Sequence, residues 1–197
     1  MGPLSLMKIL VACEFSNTVS RLFREKRHTV WSCDLVDNEE NNAYHYKGDV
    51  REIMDNGWDM LIGFPPCTHL AVSGSRWFHT KTLEQAEALD FVRLLLDAPI
   101  EKICIENPVG IISTQIRPAT QYIQPHEFGF PASKKTGLWL KGLPNLRPTH
   151  VLAKPPRGSA QAKAWDFVNQ MSPSAGRAQD RSRTFFGIAQ AMADQWG

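Results

Sequence analysis

The stretch KILVACEFSNTVSRLFREKRHTVWSCD, residues 8–34, decides the fold. It opens with a short apolar run typical of a buried strand, and a second such run at 29–34 ends in Asp34. Between them, apolar residues recur at helical spacing, and Ser16 or Asn17 stands where a helix cap is expected. A strand, a helix and a second strand in this order predict a parallel pair joined by a right-handed crossover.

The same alternation continues along the chain. Further strands are predicted at 45–47, 60–64, 102–106 and 136–141. The clearest helical periodicity covers residues 82–97, and a short amphipathic helix is predicted over 187–196. Residues 142–180 are rich in proline, glycine and basic side chains and show little periodicity. We therefore expect an α/β protein with a doubly wound, mostly parallel sheet, whose strands present their carboxyl ends and a ligand site at one edge.

Composition narrows the class of protein. The chain has 197 residues, of which 43% are apolar and 21% charged, so one soluble domain is expected, and collagen, coiled coil and wholesale disorder are excluded. No apolar run approaches the ~18 residues of a membrane span. No signal peptide is visible, so we expect a cytoplasmic protein without membrane contact. Residues 1–6 resemble a cloning remnant before a natural start at Met7.

The cysteines and the charges carry two further expectations. Four scattered cysteines lack the paired spacing of a metal site or a disulfide framework, so we expect reduced thiols and no bound metal. Residues 1–133 contain 12 basic and 17 acidic side chains, whereas residues 134–183 contain 10 basic and 2 acidic ones. The basic segment indicates either a contact with a polyanion or a solvated lysine-rich loop.

A candidate nucleophile follows the fourth predicted strand. Cys67 comes after Pro65 and Pro66, which fix the backbone and remove two amide donors, so the loop leaves the strand stiffly. The flexible segment 73–75 and the basic, aromatic segment 76–79 follow it. This pattern is typical of a covalent nucleophile below a closing loop, although a buried thiol in a proline turn gives the same sequence.

Carboxylates end three other predicted strands. Glu106, beside Asn107, is a candidate acid whose pKa would rise in a partly desolvated position, or else a loop-anchoring carboxylate. Asp34 suits the two hydroxyls of a ribose, and Asp49 suits an adenine amino group. Both could equally be solvated turn residues.

These motifs together resemble a known family. Residues 62–74, IGFPPCTHLAVSG, resemble the catalytic loop of DNA cytosine-C5 methyltransferases, in which Pro-Cys is followed by Ser-Gly at this offset. Residues 105–108, IENP, are similar to that family's Glu-Asn-Val segment. The order and spacing hold over about residues 7–140, and the chain looks most like the small cytosine-methyltransferase-like proteins encoded by phages and prophages.

The resemblance implies a Rossmann-like fold that binds S-adenosylmethionine. Residues 7–140 would form the catalytic core, 141–180 a short basic recognition region and 181–197 a C-terminal segment that completes the core. The implied cofactor contacts are Ala12, Glu14, Phe15, Ser16, Asn17, Asp34, Leu35, Asp49, Val50, Phe64 and Pro65. The implied contacts to DNA are Ser73, Gly74, Arg76, Lys134, Lys135, Arg181 and Arg183.

The resemblance also implies a mechanism. The thiolate of Cys67 would add to C6 of cytosine, Glu106 would protonate N3, and Asn107 and Pro66 would position these groups. A cytosine in duplex DNA would have to leave the base stack. The protein would act in the cytoplasm, that of the bacterial host if it is phage-encoded, and homo-oligomer formation stays open.

The sequence departs from the family at four places. Two are the extra proline, Pro65, before the Pro-Cys pair and the short recognition region 141–180, and the other two keep alternatives open. The first loop, residues 12–17, lacks the family's glycines. Lys134 matches the first arginine of the family's Gln-x-Arg-x-Arg segment only in charge, and Thr136 replaces the second. One alternative is therefore a catalytically degenerate DNA- or nucleotide-binding protein that a phage uses against a host system. Another is methylation of an exocyclic amino group, which Phe64 and Cys67 fit poorly.

Overall fold

The computed structural model of the protein describes residues 5–72, 82–167 and 183–197. Within these ranges the chain forms a mixed α/β fold around one seven-stranded sheet. Its strands are β1 (Lys8–Ala12), β2 (Thr29–Asp34), β3 (His45–Lys47), β4 (Met60–Gly63), β5 (Lys102–Pro108), β6 (Gln121–Ile123) and β7 (Thr136–Lys141). Its helices are α1 (Thr18–Glu25), α2 (Thr82–Leu96), α3 (Ile112–Gln115), α4 (Ala160–Trp165) and α5 (Phe186–Trp196).

The sheet is mostly parallel, as the sequence predicts. The strand order is β3-β2-β1-β4-β5-β7-β6. Strands β1 to β5 pair in parallel, whereas β7 runs antiparallel between β5 and β6. Because β1 lies centrally and the chain winds outwards from it in both directions, the arrangement is Rossmann-like.

The structure corrects several predicted boundaries. Strand β5 continues through Pro108 instead of ending at Glu106, because Asn107 and Pro108 pair with residues of β7. Helices α3 and α4 and strand β6 are absent from the predictions. Each has six residues or fewer, too few for an apolar periodicity to be recognised.

Apolar residues of the central strands alternate between two cores. Ile9 and Val11 of β1 belong to the cluster that includes α1 and α5, and Leu10 and Ala12 belong to the cluster that includes α2. All four are fully buried. A strand covered on both faces needs apolar side chains at successive positions, which explains the continuous apolar run in the sequence.

The C-terminal helix is part of the same core. Helix α5 packs against α1, and its indole at Trp196 donates a hydrogen bond to the carbonyl oxygen of Pro144 at 3.1 Å. Gln195 exchanges two hydrogen bonds of 2.8 Å with the backbone of Arg147. The chain end therefore ties the segment after β7 to the core. Among the described residues, no helix is both long and apolar enough to cross a membrane.

The contact between Gly187 and Phe128 tests how closely α5 packs against the loop after β6. A Cβ at Gly187 would lie 1.9 Å from the carbonyl oxygen of Phe128, which forces α5 or the loop to move. We predict that Gly187→Ala lowers the free energy of unfolding by about 2–3 kcal/mol, although alanine favours an unconstrained helix. Gly158→Ala is the control, because no atom lies within 4 Å of its Cβ position, and its positive φ costs only about 1 kcal/mol. Urea denaturation measures both, and a stabilised Gly187→Ala protein would contradict the packing.

Candidate active site

The carboxyl ends of the parallel strands meet at one edge of the sheet. Cys13 follows β1, Asp34 ends β2, Asp49 lies two residues after β3, and Phe64 follows β4. Glu106 and Asn107 lie in the last part of β5. The polar strand ends singled out in the sequence therefore share one edge.

A pocket of about 280 Å³ lies at this edge beside β1, β2 and β3. Its charged groups are Asp34, Asp49 and Arg51, and its apolar walls include Leu35, Val50 and Phe91. Pro66, the residue before Cys67, also lines it. The volume is close to the lower limit of small-molecule sites, about 300 Å³, so the pocket suits one nucleoside-sized group.

Asp34 is held in place by the turn that follows it. Its carboxylate accepts a hydrogen bond of 3.3 Å from the amide of Val36. The imidazole of His45 forms hydrogen bonds of 2.8 Å with the Val36 carbonyl oxygen and 2.9 Å with the Ser32 hydroxyl, which ties the turn to strand β2. Burial raises the pKa of Asp34, while the turn amides and the nearby His45 act in the opposite direction. A half-buried carboxylate in a rigid turn is a suitable acceptor for hydroxyl groups.

Asp49 has a structural role in the pocket wall. Its carboxylate accepts hydrogen bonds from the amide and the guanidinium of Arg51, at 2.9 and 3.0 Å, and caps the 3₁₀ turn Val50–Glu52. The Arg51 guanidinium lies 5.4 Å from the ring centre of Phe91. Asp49 thus joins the β3 loop to α2 through Arg51, and its remaining lone pairs can still accept from a ligand.

Two thiols line the pocket. Burial raises the pKa of the Cys33 thiol to about 12, and it raises the pKa of Cys13 further, with the carboxylates of Asp34 and Asp49 adding to both shifts. Both side chains are therefore neutral near pH 7 and are poor nucleophiles.

The first loop, residues 12–17, places the side chain of Glu14 at the start of α1. The carboxylate of Glu14 is buried and accepts hydrogen bonds from the amides of Val19 and Ser20, at 2.6 and 3.2 Å. The amide of Thr18 donates to the hydroxyl of Ser16 at 3.4 Å. The first three amides of the helix, which in most helices need an outside acceptor, are therefore bonded within the chain.

This geometry corrects the predicted cap at Asn17, whereas Ser16 does accept from the first helix amide. Asn17 occupies the cap position with φ 58°, but its side chain does not bond the helix amides. Its Oδ1 accepts from the Ser20 hydroxyl and from the Arg24 guanidinium, and its Nδ2 donates to Glu40. The Glu14 carboxylate is the capping group, so any contact from Glu14 to a ligand would have to come from its backbone.

The same loop explains how a turn without glycine is formed. Cys13 and Asn17 both have the left-handed backbone, with φ 59° and 58°, where glycine is usually found. Asn tolerates this conformation, whereas for Cys13 it costs about 1–2 kcal/mol. The hydrogen bonds of Glu14 and Asn17 hold the turn in this form.

The second part of the site surrounds Cys67. The amide of Asn107 donates a hydrogen bond of 2.8 Å to the carbonyl oxygen of Pro65, which ties the loop after β4 to strand β5. Asn107 is buried, and none of the described residues donates a hydrogen bond to its Oδ1. Cys67 itself is half-buried. Asn107 therefore ties the Pro-Pro-Cys loop to β5, and its expected role in positioning catalytic groups stays a prediction.

The loop turns back directly after the cysteine. The carbonyl oxygen of Cys67 accepts from the amides of Leu70 and Ala71, at 3.1 and 3.0 Å. Ala71 then forms a bridge to Gly110, where a Cβ would lie 2.0 Å from the carbonyl oxygen of Leu70. The close approach of two backbones at Gly110 fixes the loop against the end of β5.

Glu106 lies on the strand next to this loop. It is opposite Leu138 of β7 and half-buried. Burial raises the pKa of its carboxyl, and the charge of Lys134 and the hydroxyl of Thr136 limit the rise. A carboxyl of this kind keeps its proton to a higher pH than an exposed glutamate, which suits a general acid.

The residues expected to contact DNA lie in different surroundings. Lys134 Nζ is 5.9 Å from the ring centre of Phe185, and Lys135 Nζ is 4.4 Å from that of Tyr122. Arg183 forms a two-pronged ion pair with Glu39 and covers Phe15. This pairing joins the C-terminal segment to the first loop. Ser73, Gly74, Arg76 and Arg181 lie outside the described residues.

The pocket includes only part of the predicted cofactor set. Asp34, Leu35, Asp49 and Val50 line it. The other predicted contacts are not among its lining residues, namely Ala12, Glu14, Phe15, Ser16, Asn17, Phe64 and Pro65. Phe91 is a wall residue that the sequence analysis misses, although it is an aromatic side chain off the buried stripe of α2. No pattern in the sequence identifies Cys13, Cys33 or Arg51.

Comparison with known proteins gives little further information. No family model matches the chain, and no curated protein matches it. Among solved structures, the bifunctional kinase-methyltransferase WbdD aligns with 81% of this chain at 15% identity and a TM-score of 0.41. The chain spans 41% of that protein, and a likeness of this size does not assign a function.

The buried carboxylate at α1 gives a prediction with a definite sign. Because burial raises the pKa of Glu14, the folded protein holds a proton that the unfolded chain releases. The stability from this group is complete below the ordinary pKa of glutamate, about 4.3, and is lost as pH rises through the raised value. We predict that Glu14→Gln becomes relatively more stable, compared with the native chain, over this rise in pH.

Urea denaturation over a series of pH values measures the effect. Glu25→Gln is the matched control, since this glutamate ends α1, the helix that Glu14 caps, and 61% of its side chain is exposed. A constant difference between the native and Glu14→Gln proteins at all pH values would contradict the role given to Glu14.

Proposed function

We propose that this protein is an S-adenosylmethionine-dependent methyltransferase that acts on C5 of cytosine in DNA. The observation that carries the proposal is the junction at Pro66. This residue lines the nucleoside-sized pocket, and the next residue is the candidate nucleophile Cys67. A cofactor in the pocket and a base beside Cys67 would therefore be neighbours.

The pocket residues fit the nucleoside part of the cofactor. Asp34 would accept hydrogen bonds from the ribose hydroxyls, as an acid at the end of the second strand does in nucleotide-binding folds. Leu35, Val50 and Phe91 offer apolar surface to the adenine, and Asp49 retains acceptor capacity for its amino group. When bound, S-adenosylmethionine would supply an electrophilic methyl group.

Glu14 favours this cofactor over a phosphate-bearing one. In dinucleotide-binding folds, a phosphate sits at the start of the first helix, where free amides and the helix dipole attract it. Here Val19 and Ser20 donate their amides to Glu14, and a carboxylate occupies that position. A phosphate would find the amides of Val19 and Ser20 already bonded to Glu14, whereas S-adenosylmethionine carries no phosphate that needs them.

The sheet order supports the same family of folds. An antiparallel strand, β7, lies between β5 and the last strand β6. This is the arrangement expected of a Rossmann-like methyltransferase core. A dinucleotide-binding Rossmann sheet has the order 3-2-1-4-5-6 without such an insertion.

Cys67 and Glu106 supply the chemistry that cytosine needs. C5 of cytosine is a poor nucleophile until a thiolate bonds to C6. In the proposed reaction, Cys67 Sγ forms that bond while Glu106 gives its proton to N3, and the electron density moves to C5. Once the methyl group has bonded to C5, with S-adenosylhomocysteine as the leaving group, a water molecule would accept the C5 proton. The N3 proton then returns to Glu106 as Cys67 departs as the thiolate, which restores the aromatic ring.

The departures from the family leave this acid in place. Lys134 and Thr136 stand where the family has arginines, and both act on the Glu106 carboxyl. Methylation of an exocyclic amino group is a weaker candidate. Its chemistry needs a polar group at position 64, but Phe64 is part of the core cluster with α1 and α5.

DNA that contains 5-fluorocytosine tests the proposal. Fluorine at C5 blocks the final elimination, so the protein should remain bonded to the DNA in the presence of S-adenosylmethionine. We predict an adduct in the mass spectrum of the intact native protein, no adduct with Cys67→Ser, and full adduct formation with Cys104→Ala, which removes a buried thiol on β5. An active enzyme without an adduct would contradict the covalent mechanism.

Glu106→Gln separates the acid from the nucleophile in the same assay. The raised pKa of Glu106 predicts a native rate that falls as pH rises through that value. Glutamine can hydrogen-bond N3 without giving a proton, so the variant should be slower and lack this fall. If the native protein is instead catalytically degenerate and only binds DNA or a nucleotide, it would form no adduct at any pH.

A further inference from the structure

Three phenylalanines form a continuous surface feature near the candidate acid. The ring centres of Phe130 and Phe185 are 4.7 Å apart, and those of Phe130 and Phe167 are 6.4 Å apart, with tilts of 48° and 50°. We call these three residues the aromatic ridge. Phe130 and Phe167 are 39% and 41% exposed. Large aromatic side chains exposed side by side mark an interaction surface more often than isolated ones do.

The ridge lies beside positive charge and beside the site. Lys134 Nζ is 5.9 Å from the Phe185 ring centre, and the same lysine acts on the pKa of Glu106. In the described segment 134–167, which begins at this lysine and ends at Phe167, 7 side chains are basic and 1 is acidic. An anionic ligand on the ridge would therefore be attracted by Lys134, the residue whose charge also acts on Glu106.

We propose that the aromatic ridge stacks unpaired bases of single-stranded DNA next to the target cytosine. Aromatic faces combined with basic side chains recognise unpaired strands, because bases stack on the rings while cations contact the backbone. In a duplex the base faces are already stacked on one another, and only phosphates and base edges are accessible. This inference rests on the proposed function for the identity of the target base and adds the form of its substrate.

The charge of the segment favours nucleic acid over a second copy of this chain. An identical subunit would bring the same excess of basic residues to the contact, and like charges at an interface are unfavourable. Self-association is therefore a separate outcome that the experiment must detect.

Fluorescence anisotropy with labelled oligonucleotides tests the ridge. The native protein should bind a single strand more tightly than the duplex of the same sequence. We expect Phe130→Ala and Phe167→Ala each to weaken single-strand binding by about tenfold. Phe130→Trp should retain the binding, because it keeps an aromatic face. Tyr44→Ala is the matched control, since Tyr44 is 52% exposed but lies outside the ridge.

Three results would overturn the inference that the ridge binds single-stranded DNA. Unchanged single-strand binding in the Phe130→Ala, Phe167→Ala double variant, or a preference of the native protein for duplex, would overturn the inference. So would a native dimer that the double variant converts to a monomer, since that result makes the ridge a subunit interface. Binding of S-adenosylhomocysteine, the demethylated cofactor, and thermal melting, measured on the same proteins, confirm that the variants are folded.

The proposed function can fail separately from the ridge. Single-strand binding that depends on the ridge, without cofactor binding or methyl transfer, would contradict the proposed function alone. Methyl transfer to duplex DNA by a protein with a mutated ridge would contradict only the role proposed for the ridge, and the proposed function would stand.

Discussion

The hydrogen bonds from the first turn of α1 to Glu14 are the constraint on which the ligand edge depends. They satisfy the helix amides, hold the left-handed residues Cys13 and Asn17, and fix the end of β1 beside the pocket. The family that this chain resembles achieves a comparable turn with glycines. Here the hydrogen bonds of the buried Glu14 side chain hold a turn that has no glycine. The same hydrogen bonds occupy the helix amides that bind phosphate in other folds.

Polar side chains at or after the ends of β3 and β5 also hold the loops at the ligand edge of the sheet. Asn107 of β5 bonds the carbonyl oxygen of Pro65, and Asp49 binds Arg51, which covers Phe91. These contacts keep the pocket at the strand ends and the Cys67 loop in a fixed relation, with Pro66 between them. The proposed reaction requires such a relation, since a methyl donor and a nucleophile must approach the same base.

The sequence predicts the strands well because strands covered on both faces need continuous apolar runs. It also predicts that Asp34 and Asp49 share one edge, because parallel strands align their carboxyl ends. It misses the edge strand β6, since three residues carry no recognisable period. It assigns the cap to Ser16 or Asn17, because a cap supplied by Glu14, four residues before the helix begins, follows from tertiary geometry. Phe91 reaches the pocket only through the packing of α2.

Calorimetric titration of the native protein with S-adenosylhomocysteine and with ADP tests the central claim most directly. Both molecules carry adenosine, and they differ in whether phosphate extends towards the start of α1. The account predicts that S-adenosylhomocysteine binds, that Asp34→Ala weakens this binding at least tenfold, which corresponds to about 1.4 kcal/mol, and that ADP binds far more weakly. Binding of ADP as tight as that of S-adenosylhomocysteine, or no binding of S-adenosylhomocysteine, would contradict it.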